Sequence, residues 1–334
     1  MADASVVITT RNRREELLRA LRSVVRQSAD LEVIVIVDGP DEETVAAVRE
    51  EFPLISVEQD RHRGYISQRN RGARRSTAPI LVFLDDDAEL PSEWTIEQTL
   101  ADFSDSQIGA VGIPYRQPAG GRARQLSPTA GGLWLTDHFL GCASAVRRDA
   151  FLAVGGFDAS LFMQGEEPDL CAKLLLRGLV TILGRADPGI HHVSPRRQSE
   201  LITRFATRNQ MLIAMRYGSG TALALQLVAR SLFSAGRAWR SGYPRAVLGG
   251  AREGIMLGRS RAQRNPLPPP LYRLLMELEA ERLGGFRRTR LEDVVGLLPA
   301  RRTVPAPARA PQPFPGPQAT ASSASLPATS APTS

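Results

Sequence analysis

Short apolar runs alternate with amphipathic stretches over about the first 200 residues, which predicts repeated β-α units. The apolar runs are rich in β-branched side chains and predict strands over residues 5–10, 31–37, 55–58 and 80–84. Apolar residues at helical spacing predict helices over residues 14–27, 42–51 and 64–75. Because the strands are almost continuously apolar, we expect an α/β fold with a mostly parallel central sheet and helices on both faces.

Two further zones follow and predict a division into three regions. The α/β domain covers residues 1–200, and residues 201–299 lack convincing strands and predict a helical C-terminal region. Residues 300–334 are rich in Pro, Ala, Ser and Thr and contain no acidic residue. Such a segment cannot bury enough apolar surface to offset the entropy lost on ordering. We therefore expect it to be disordered.

Composition narrows the choice of partner and compartment. The 334 residues carry a formal net charge of +7, which favours anionic partners such as nucleotide phosphates or anionic lipid. Scattered basic residues and few aromatics argue against nucleic acid. The two cysteines, Cys142 and Cys171, make neither a disulfide framework nor a zinc site, which fits a reducing compartment. With no signal-peptide pattern and no run of roughly 20 apolar residues, we expect a cytoplasmic protein.

The predicted C-terminal helices combine apolar residues with arginines, as around Arg230 and Arg245. A basic amphipathic segment can lie on the anionic inner face of a cell membrane. The same pattern also fits packing against the catalytic domain or against a second subunit in a homo-oligomer. The sequence leaves these interpretations open.

Polar residues follow the predicted strands, where ligands bind in parallel α/β sheets. The first strand ends in Thr9-Thr10-Arg11-Asn12-Arg13, the second in Asp38, and the run 80–84 leads into Asp85-Asp86-Asp87. Three adjacent carboxylates after a buried strand repel each other and are costly to desolvate. They make sense where a divalent cation, Mg²⁺ or Mn²⁺, completes its shell with substrate phosphates. The alternative is a solvated acidic turn before the next helix.

An ordered series of motifs extends this picture: VVITTRNRRE, IVIVDGPDEET, RGYISQRNRGARRS, FLDDDAELP, GCASAVRRDAFLAVGGFD and MQGEEPDLCAKLLLRG. Each motif alone is weak, but the ordered series resembles the family 2 glycosyltransferases of the GT-A fold. The rhamnosyltransferase-like and polysaccharide-assembly members are the most similar. The resemblance covers about residues 4–200.

The resemblance implies an inverting, metal-assisted transferase with a carboxylate general base. Its donor would be a nucleoside-diphosphate-sugar of the UDP or dTDP type. Its acceptor would be a hydroxyl group on a glycan, a lipid-linked sugar or another molecule. A role in the synthesis of cell-surface polysaccharide or glycoconjugate would follow.

The resemblance also assigns a donor pocket, formed by Thr9, Arg11, Asp38, Arg69 and Asn70. Asp38 would accept a hydrogen bond from the pyrimidine ring, a task that suits an acceptor-only carboxylate. The alternative for Asp38 is a turn residue before Gly39. His62 stands where the family usually has asparagine, so the resemblance assigns no role to that position.

The acidic triplet supplies the D-x-D motif of the family. Asp87 is expected to contact the metal directly, and Asp85 to reach the metal-bound water or the ribose of the donor. Asp86 lies between them in the donor site. His191 and His192 match a position that often supplies a further metal ligand, although a structural histidine is the alternative. The sequence does not tell which of the two is the ligand.

The segment from Gly165 to Leu170 matches the family's G-E-D-x-D-L motif at the start of a helix. The general base of the family falls on Glu167, where the family has aspartate. Glu166 would then orient the acceptor, and Asp169 is the base if the register is shifted. The alternative is that the acids complement the helix dipole.

Three other functions fit the sequence less well. A nucleotidyltransferase usually begins with a glycine-rich phosphate loop and a lysine, but no glycine precedes Gly39, and Lys173 is the only lysine. An inactive binding protein would be expected to have lost the metal-binding or base carboxylates. A basic membrane scaffold would not explain the acidic triplet.

Overall fold

The structure, a computed structural model, describes residues 2–129, 131–192, 199–218, 220–260 and 264–300. Its strands are β1 (Ala4–Thr10), β2 (Leu31–Asp38), β3 (Ser56–Asp60), β4 (Ile80–Asp85), β5 (Ala88–Glu89), β6 (Ile108–Gly112), β7 (Tyr115–Gln117), β8 (Gly120–Arg124), β9 (Ala143–Arg147), β10 (Val180–Leu183) and β11 (Gly189–His191). Its helices are α1 (Arg14–Val24), α2 (Glu42–Glu51), α3 (Tyr65–Arg75), α4 (Thr95–Ala101), α5 (Arg148–Ala153), α6 (Glu166–Leu175), α7 (Ser199–Tyr217), α8 (Gly220–Ser241), α9 (Pro244–Gly258), α10 (Pro269–Gly284) and α11 (Leu291–Val294).

A seven-stranded sheet in the order β10-β6-β9-β4-β1-β2-β3 forms the centre of the α/β part. β1 pairs in parallel with both β2 and β4, whereas β9 is antiparallel to its two neighbours. All residues of β1 are buried, which explains its continuous apolar sequence. The predicted fold class is confirmed.

The strands β1 to β4 form close to where the apolar pattern predicts them. The helix predicted to reach Gln27 ends at Val24, because Gln27 turns inward and its side-chain amide donates to the carbonyl of Ser92 at 2.8 Å. A second sheet, in the order β5-β11-β7-β8, was not predicted. Its strands are short and lack an apolar alternation.

The helical C-terminal region is confirmed by α7 to α10. α9 packs closely along α7, because Gly250 and Gly254 lie one turn apart on the contacting face. A Cβ at these positions would lie 2.3 Å and 2.1 Å from the carbonyl oxygens of Arg204 and Arg208. The domain boundaries at residues 200 and 299 stay predictions, and the predicted tail, residues 300–334, lies outside the described residues except for Ala300. None of the described helices is both long and apolar enough to cross a membrane.

Candidate active site

A cleft of about 770 Å³ lies at the carboxyl ends of β1, β2 and β4. The start of α6 and the helices of the C-terminal region complete its wall. Most of the predicted site residues line it, namely Thr9, Arg11, Asp38, Arg69, Asp85, Asp86, Asp87, Glu166, Glu167 and His191. Three others, Asn70, Asp169 and His192, do not.

Asp85, Asp87 and His191 form one compact group in this cleft. Each offers a ligand atom, and these atoms all lie within 4.8 Å of one another. β4 ends at Asp85, and β11 pairs antiparallel with β5, which brings His191 next to the acidic turn. Two of the three side chains are buried. Two carboxylates and an imidazole can together hold a divalent cation.

His192 is oriented differently from its neighbour. Its Nε2 lies 2.7 Å from Oε1 of Glu89, and its backbone N–H donates to the carbonyl of Asp87 at 2.8 Å. Successive side chains of an extended segment point to opposite faces, so only one of two adjacent histidines can join the carboxylates. The structure places His191 there.

Arg13, one of the polar residues expected after β1 but given no role from the sequence, holds the acidic triplet in position. Its guanidinium donates to Oδ1 of Asp86 at 2.8 Å and to Oδ2 of Asp87 at 3.0 Å. Burial raises the pKa of Asp86 to about 6, although Arg13 and a hydrogen bond from Thr10 oppose the shift. Burial also acts to raise the pKa of Asp87, but its interactions with His191 and Arg13 outweigh this and hold that pKa below its ordinary value.

Asp38 is buried at the end of β2 and accepts four hydrogen bonds from the protein. The donors are Nδ1 of His62 at 2.7 Å, Nε2 of Gln68 at 2.7 Å, and the backbone N–H groups of residues 63–64. Burial acts to raise the pKa of Asp38, but these hydrogen bonds lower it overall. Nε2 of His62 in turn lies 2.9 Å from the guanidinium of Arg11. His62, the departure from the family pattern, therefore links two predicted donor-site residues.

Arg69 connects the carboxylate and histidine group to the acidic start of α6. It is buried, donates to Asp85, and donates to the carbonyl of Gly141 at 2.9 Å. Its other terminal nitrogen lies 3.6 Å from Oε1 of Glu166. Burial acts to lower the pKa of Arg69, but the charges of Asp85 and Glu166 raise it overall. Arg69 therefore remains charged between the two acidic groups.

Glu166 and Glu167 begin α6 after Gly165, a glycine with φ 98°. Glu166 is fully buried, whereas Glu167 is half-buried and faces the cleft. Burial raises the pKa of both carboxyl groups, and the charge of Glu166 raises that of Glu167 further. A carboxylate with a raised pKa at the cleft surface is suited to accept a proton near neutral pH.

Asp169 and Asn70 are turned away from the cleft into the protein. Asp169 lies 2.7 Å from Nζ of Lys173, and accepts from Arg216 at 2.5 Å and from the hydroxyl of Tyr217 at 2.8 Å. Burial acts to raise its pKa, but the charges of Lys173 and Arg216 lower it overall. This cluster ties α6 to α7.

Asn70 has a comparable structural position. Its side-chain nitrogen donates to the carbonyl of Phe157 at 2.7 Å, and its side-chain oxygen accepts from the N–H of Phe157 at 2.9 Å. Both ends of the amide are thus used within the protein. The structure does not bring Asn70 to the predicted donor pocket.

The C-terminal helices supply a wall of the cleft that the sequence motifs did not indicate. On α8, one guanidinium nitrogen of Arg230 donates to both carboxylate oxygens of Glu279 of α10, at 2.7 and 2.8 Å. Arg282 of α10 reaches across to Asp137 at 2.8 Å. Partners so far apart in the chain leave no local signal in the sequence.

A mostly parallel sheet with carboxylates at its strand ends defines the class as the GT-A fold. A solved structure of a mannosyltransferase, PcManGT from Pyrobaculum calidifontis, in complex with GDP-Man and Mn²⁺, shares this fold. It is 19% identical with a TM-score of 0.54, covering 84% of this chain and 81% of that one. Residues 5–157 match the model of Glycosyl transferase family 2. Over these residues the chain belongs to the family 2 glycosyltransferases.

Curated relatives agree with this family. A glucosyl-dolichyl phosphate glucuronosyltransferase of Haloferax volcanii is 27% identical over 186 residues, which is 49% of this chain and 58% of that protein. An uncharacterized glycosyltransferase of Haemophilus influenzae is 34% identical over 84 residues, 25% of this chain and 29% of that protein. The chain thus spans less than two thirds of the length of these relatives.

Proposed function

We propose that this protein transfers a sugar from a nucleoside-diphosphate-sugar of the UDP or dTDP type to an acceptor hydroxyl, with inversion at the anomeric carbon. The observation that carries the proposal is the position of Arg69. It joins the Asp85, Asp87 and His191 group to the acidic start of α6 within one cleft. A metal-binding group and a carboxylate base are the two parts that such a transfer needs.

We assign the metal site to Asp85, Asp87 and His191, supported by their mutual distances. A divalent cation held there would supply positive charge that stabilises the diphosphate as a leaving group. The cation is Mg²⁺ or Mn²⁺, and the imidazole favours Mn²⁺, because Mg²⁺ prefers oxygen ligands and water. The mannosyltransferase of the same fold was solved with Mn²⁺. Arg13 would keep Asp87 oriented toward the cation.

Glu167 is the residue to which we assign the general base. An inverting transfer needs one carboxylate that removes the acceptor proton as the acceptor oxygen attacks from the face opposite the diphosphate. Glu167 faces the cleft and its pKa is raised by burial. Glu166, held near Arg69, would orient both Glu167 and the acceptor.

The donor nucleotide is assigned to the ends of β1 and β2. Thr9, Arg11 and Asp38 line the cleft there. Asp38 would accept a hydrogen bond from the base in exchange for the one that it accepts from the exposed His62. This placement leaves the diphosphate near the acidic triplet.

The acceptor is assigned to the opposite end of the cleft, against α8 and α10. Arg230, Glu279 and Arg282 offer charged hydrogen-bonding groups to sugar hydroxyls in that wall. A glycan or lipid-linked acceptor in cell-surface polysaccharide or glycoconjugate synthesis fits, and one relative is named for a dolichyl phosphate-linked acceptor. We propose a cytoplasmic location with peripheral contact to the inner membrane surface. The basic residues on α9 support that contact more than they support a homo-oligomer.

The deciding experiment is a screen of nucleotide-sugars for hydrolysis and transfer, with and without Mn²⁺. We expect one UDP- or dTDP-sugar to be hydrolysed slowly by the wild type and far more slowly in chelator. Glu167→Gln should still bind that donor in calorimetry while losing turnover. Equal turnover in excess chelator, or binding of no nucleotide-sugar, would contradict the proposal.

A further inference from the structure

We propose that the outward faces of α8 and α9 bind the anionic surface of a lipid bilayer. The two helices follow each other in the chain and pack against each other, and each leaves one face in solvent. Together, these two faces form the outer face. It is defined by Val228 and Leu232 on α8, by Arg245, Leu248, Arg252 and Met256 on α9, and by Arg259 directly after α9.

The apolar part of the outer face is unusually exposed. Val228, Leu232, Leu248 and Met256 are between 58% and 71% exposed. Single exposed apolar residues are normal, but here they recur at helical spacing, four residues apart on α8 and eight residues apart on α9. The opposite side of α9, with Gly250 and Gly254, is buried against α7. The exposed residues therefore form the outward stripe of an amphipathic helix.

The charged part of the outer face carries one sign. Arg245, Arg252 and Arg259 are exposed, and among the described residues none of the three pairs with a carboxylate. α8 contains no acidic residue, and the single acid of α9, Glu253, is paired with Arg204 and Arg208. On such a face, the arginines can bind anionic headgroups while the apolar side chains insert into the membrane interface.

Charge argues against two other occupants of the outer face. The segment 301–334 contains no acidic residue, so it cannot neutralise the three arginines. A second copy that packed through the same face would bring arginines against arginines, which is unfavourable. An anionic bilayer is the occupant that satisfies both the apolar side chains and the positive charge.

α8 connects this surface to the cleft, in a step that rests on the proposed transferase function. Gln226 and Arg230 of α8 line the cleft, whereas Val228 and Leu232 lie on the opposite side of the same helix. The width of a helix with its side chains is about 10 Å. The acceptor end of the cleft would thus lie within about one helix diameter of the bilayer, where an acceptor anchored in the membrane can enter it.

The test is flotation of the full-length protein with vesicles, without any substrate. We expect binding to vesicles of equal parts phosphatidylserine and phosphatidylcholine and none to phosphatidylcholine alone. Binding should fall at about 1 M salt, where the Debye length is about 3 Å. The triple variant Arg245→Gln, Arg252→Gln, Arg259→Gln should bind about 100-fold more weakly. Leu232→Gln with Leu248→Gln should weaken binding at every salt concentration.

The matched control neutralises three exposed arginines of the α/β domain, Arg26→Gln, Arg49→Gln and Arg74→Gln, and should bind vesicles like the wild type. Equal loss in the control would show non-specific charge attraction and overturn the proposal. So would a wild type that binds neither vesicle, or a dimer that the leucine variant dissociates. Donor hydrolysis measured on the same samples separates failure of this surface from failure of the proposed transferase function.

Discussion

The carboxylate of Glu167 occupies the space that a side chain at Gly141 would need. A Cβ at Gly141 would lie 2.5 Å from Oε1 of Glu167 and 2.8 Å from a guanidinium nitrogen of Arg69. We predict that Gly141→Ala displaces both groups and lowers kcat about 100-fold, the scale expected for a misplacement of about 1 Å. Steady-state kinetics with the cognate donor measures this, and calorimetry checks that donor affinity changes little.

Gly131→Ala is the matched control, because a Cβ at Gly131 meets no atom within 4 Å. Both glycines lie on the segment between β8 and β9, and neither has a positive φ. The control should retain wild-type kcat. If Gly141→Ala also retains full activity, the position of Glu167 is not what limits turnover.

The adjacent histidines give a second prediction. His191→Ala removes one of the three ligand atoms and should weaken Mn²⁺ binding at least about 10-fold, since even losing a partner of a ligand costs that much. His192→Ala removes the contact with Glu89 and should leave Mn²⁺ affinity within about twofold. Titration of Mn²⁺ by calorimetry or electron paramagnetic resonance measures both. The assignment is wrong if His192→Ala has the larger effect.

The sequence predicted the fold and one edge of the site because the signals are local. Apolar runs set β1 to β4, and the polar residues that follow them meet at one edge of a parallel sheet. Asp85 and Asp87 could therefore be expected in a cleft from strand order alone.

Other parts of the site depend on long-range contacts that no pattern reveals. Arg13 is one of several arginines after β1, and only the structure shows that it holds Asp86 and Asp87. The pair of Arg230 with Glu279 joins two helices of a region without motifs. Asn70 matches a motif position, but its side-chain amide is hydrogen-bonded to the backbone of Phe157. A sequence pattern cannot show such a contact.

The C-terminal boundary gives a third prediction. Removing residues 301–334 should change neither the thermal midpoint of unfolding nor nucleotide binding. Removing residues 291–334 should destabilise the protein, because Leu291 and Val294 are buried and Leu291 bonds to the backbone of Leu133 at 2.9 Å. Large buried side chains contribute about 2–5 kcal/mol each. Loss of nucleotide binding in the shorter truncation would place the domain boundary later than residue 299.

Glu167 and Asp169 should separate catalysis from stability, which is the fourth prediction. Glu167→Gln removes the proton acceptor and should lower kcat about 10²–10⁴-fold with donor affinity retained. Asp169→Asn leaves Lys173 without its carboxylate and removes one of the carboxylates that pair with Arg216, and it should lower the free energy of unfolding by about 3–5 kcal/mol. Kinetics and urea unfolding of both variants test the assignment. If Asp169→Asn remains stable and loses turnover while Glu167→Gln stays active, Asp169 is the base.

The pH dependence of unfolding should distinguish the same two carboxyl groups. The pKa of Asp169 is lowered in the folded state by Lys173 and Arg216, so its contribution is complete above its unfolded pKa of about 4 and is lost as pH falls further. The stability gap between wild type and Asp169→Asn should therefore be widest near pH 7 and narrow below about pH 4.

The pKa of Glu167 is raised by burial and by Glu166, so the folded state binds more protons and wild-type stability falls as pH rises above about 4.5. Glu167→Gln removes this loss and should be at least as stable as the wild type at pH 8. A Glu167→Gln variant that is less stable than the wild type at pH 8 would show that the carboxylate is a structural ion-pair partner and not a base kept ready for a proton.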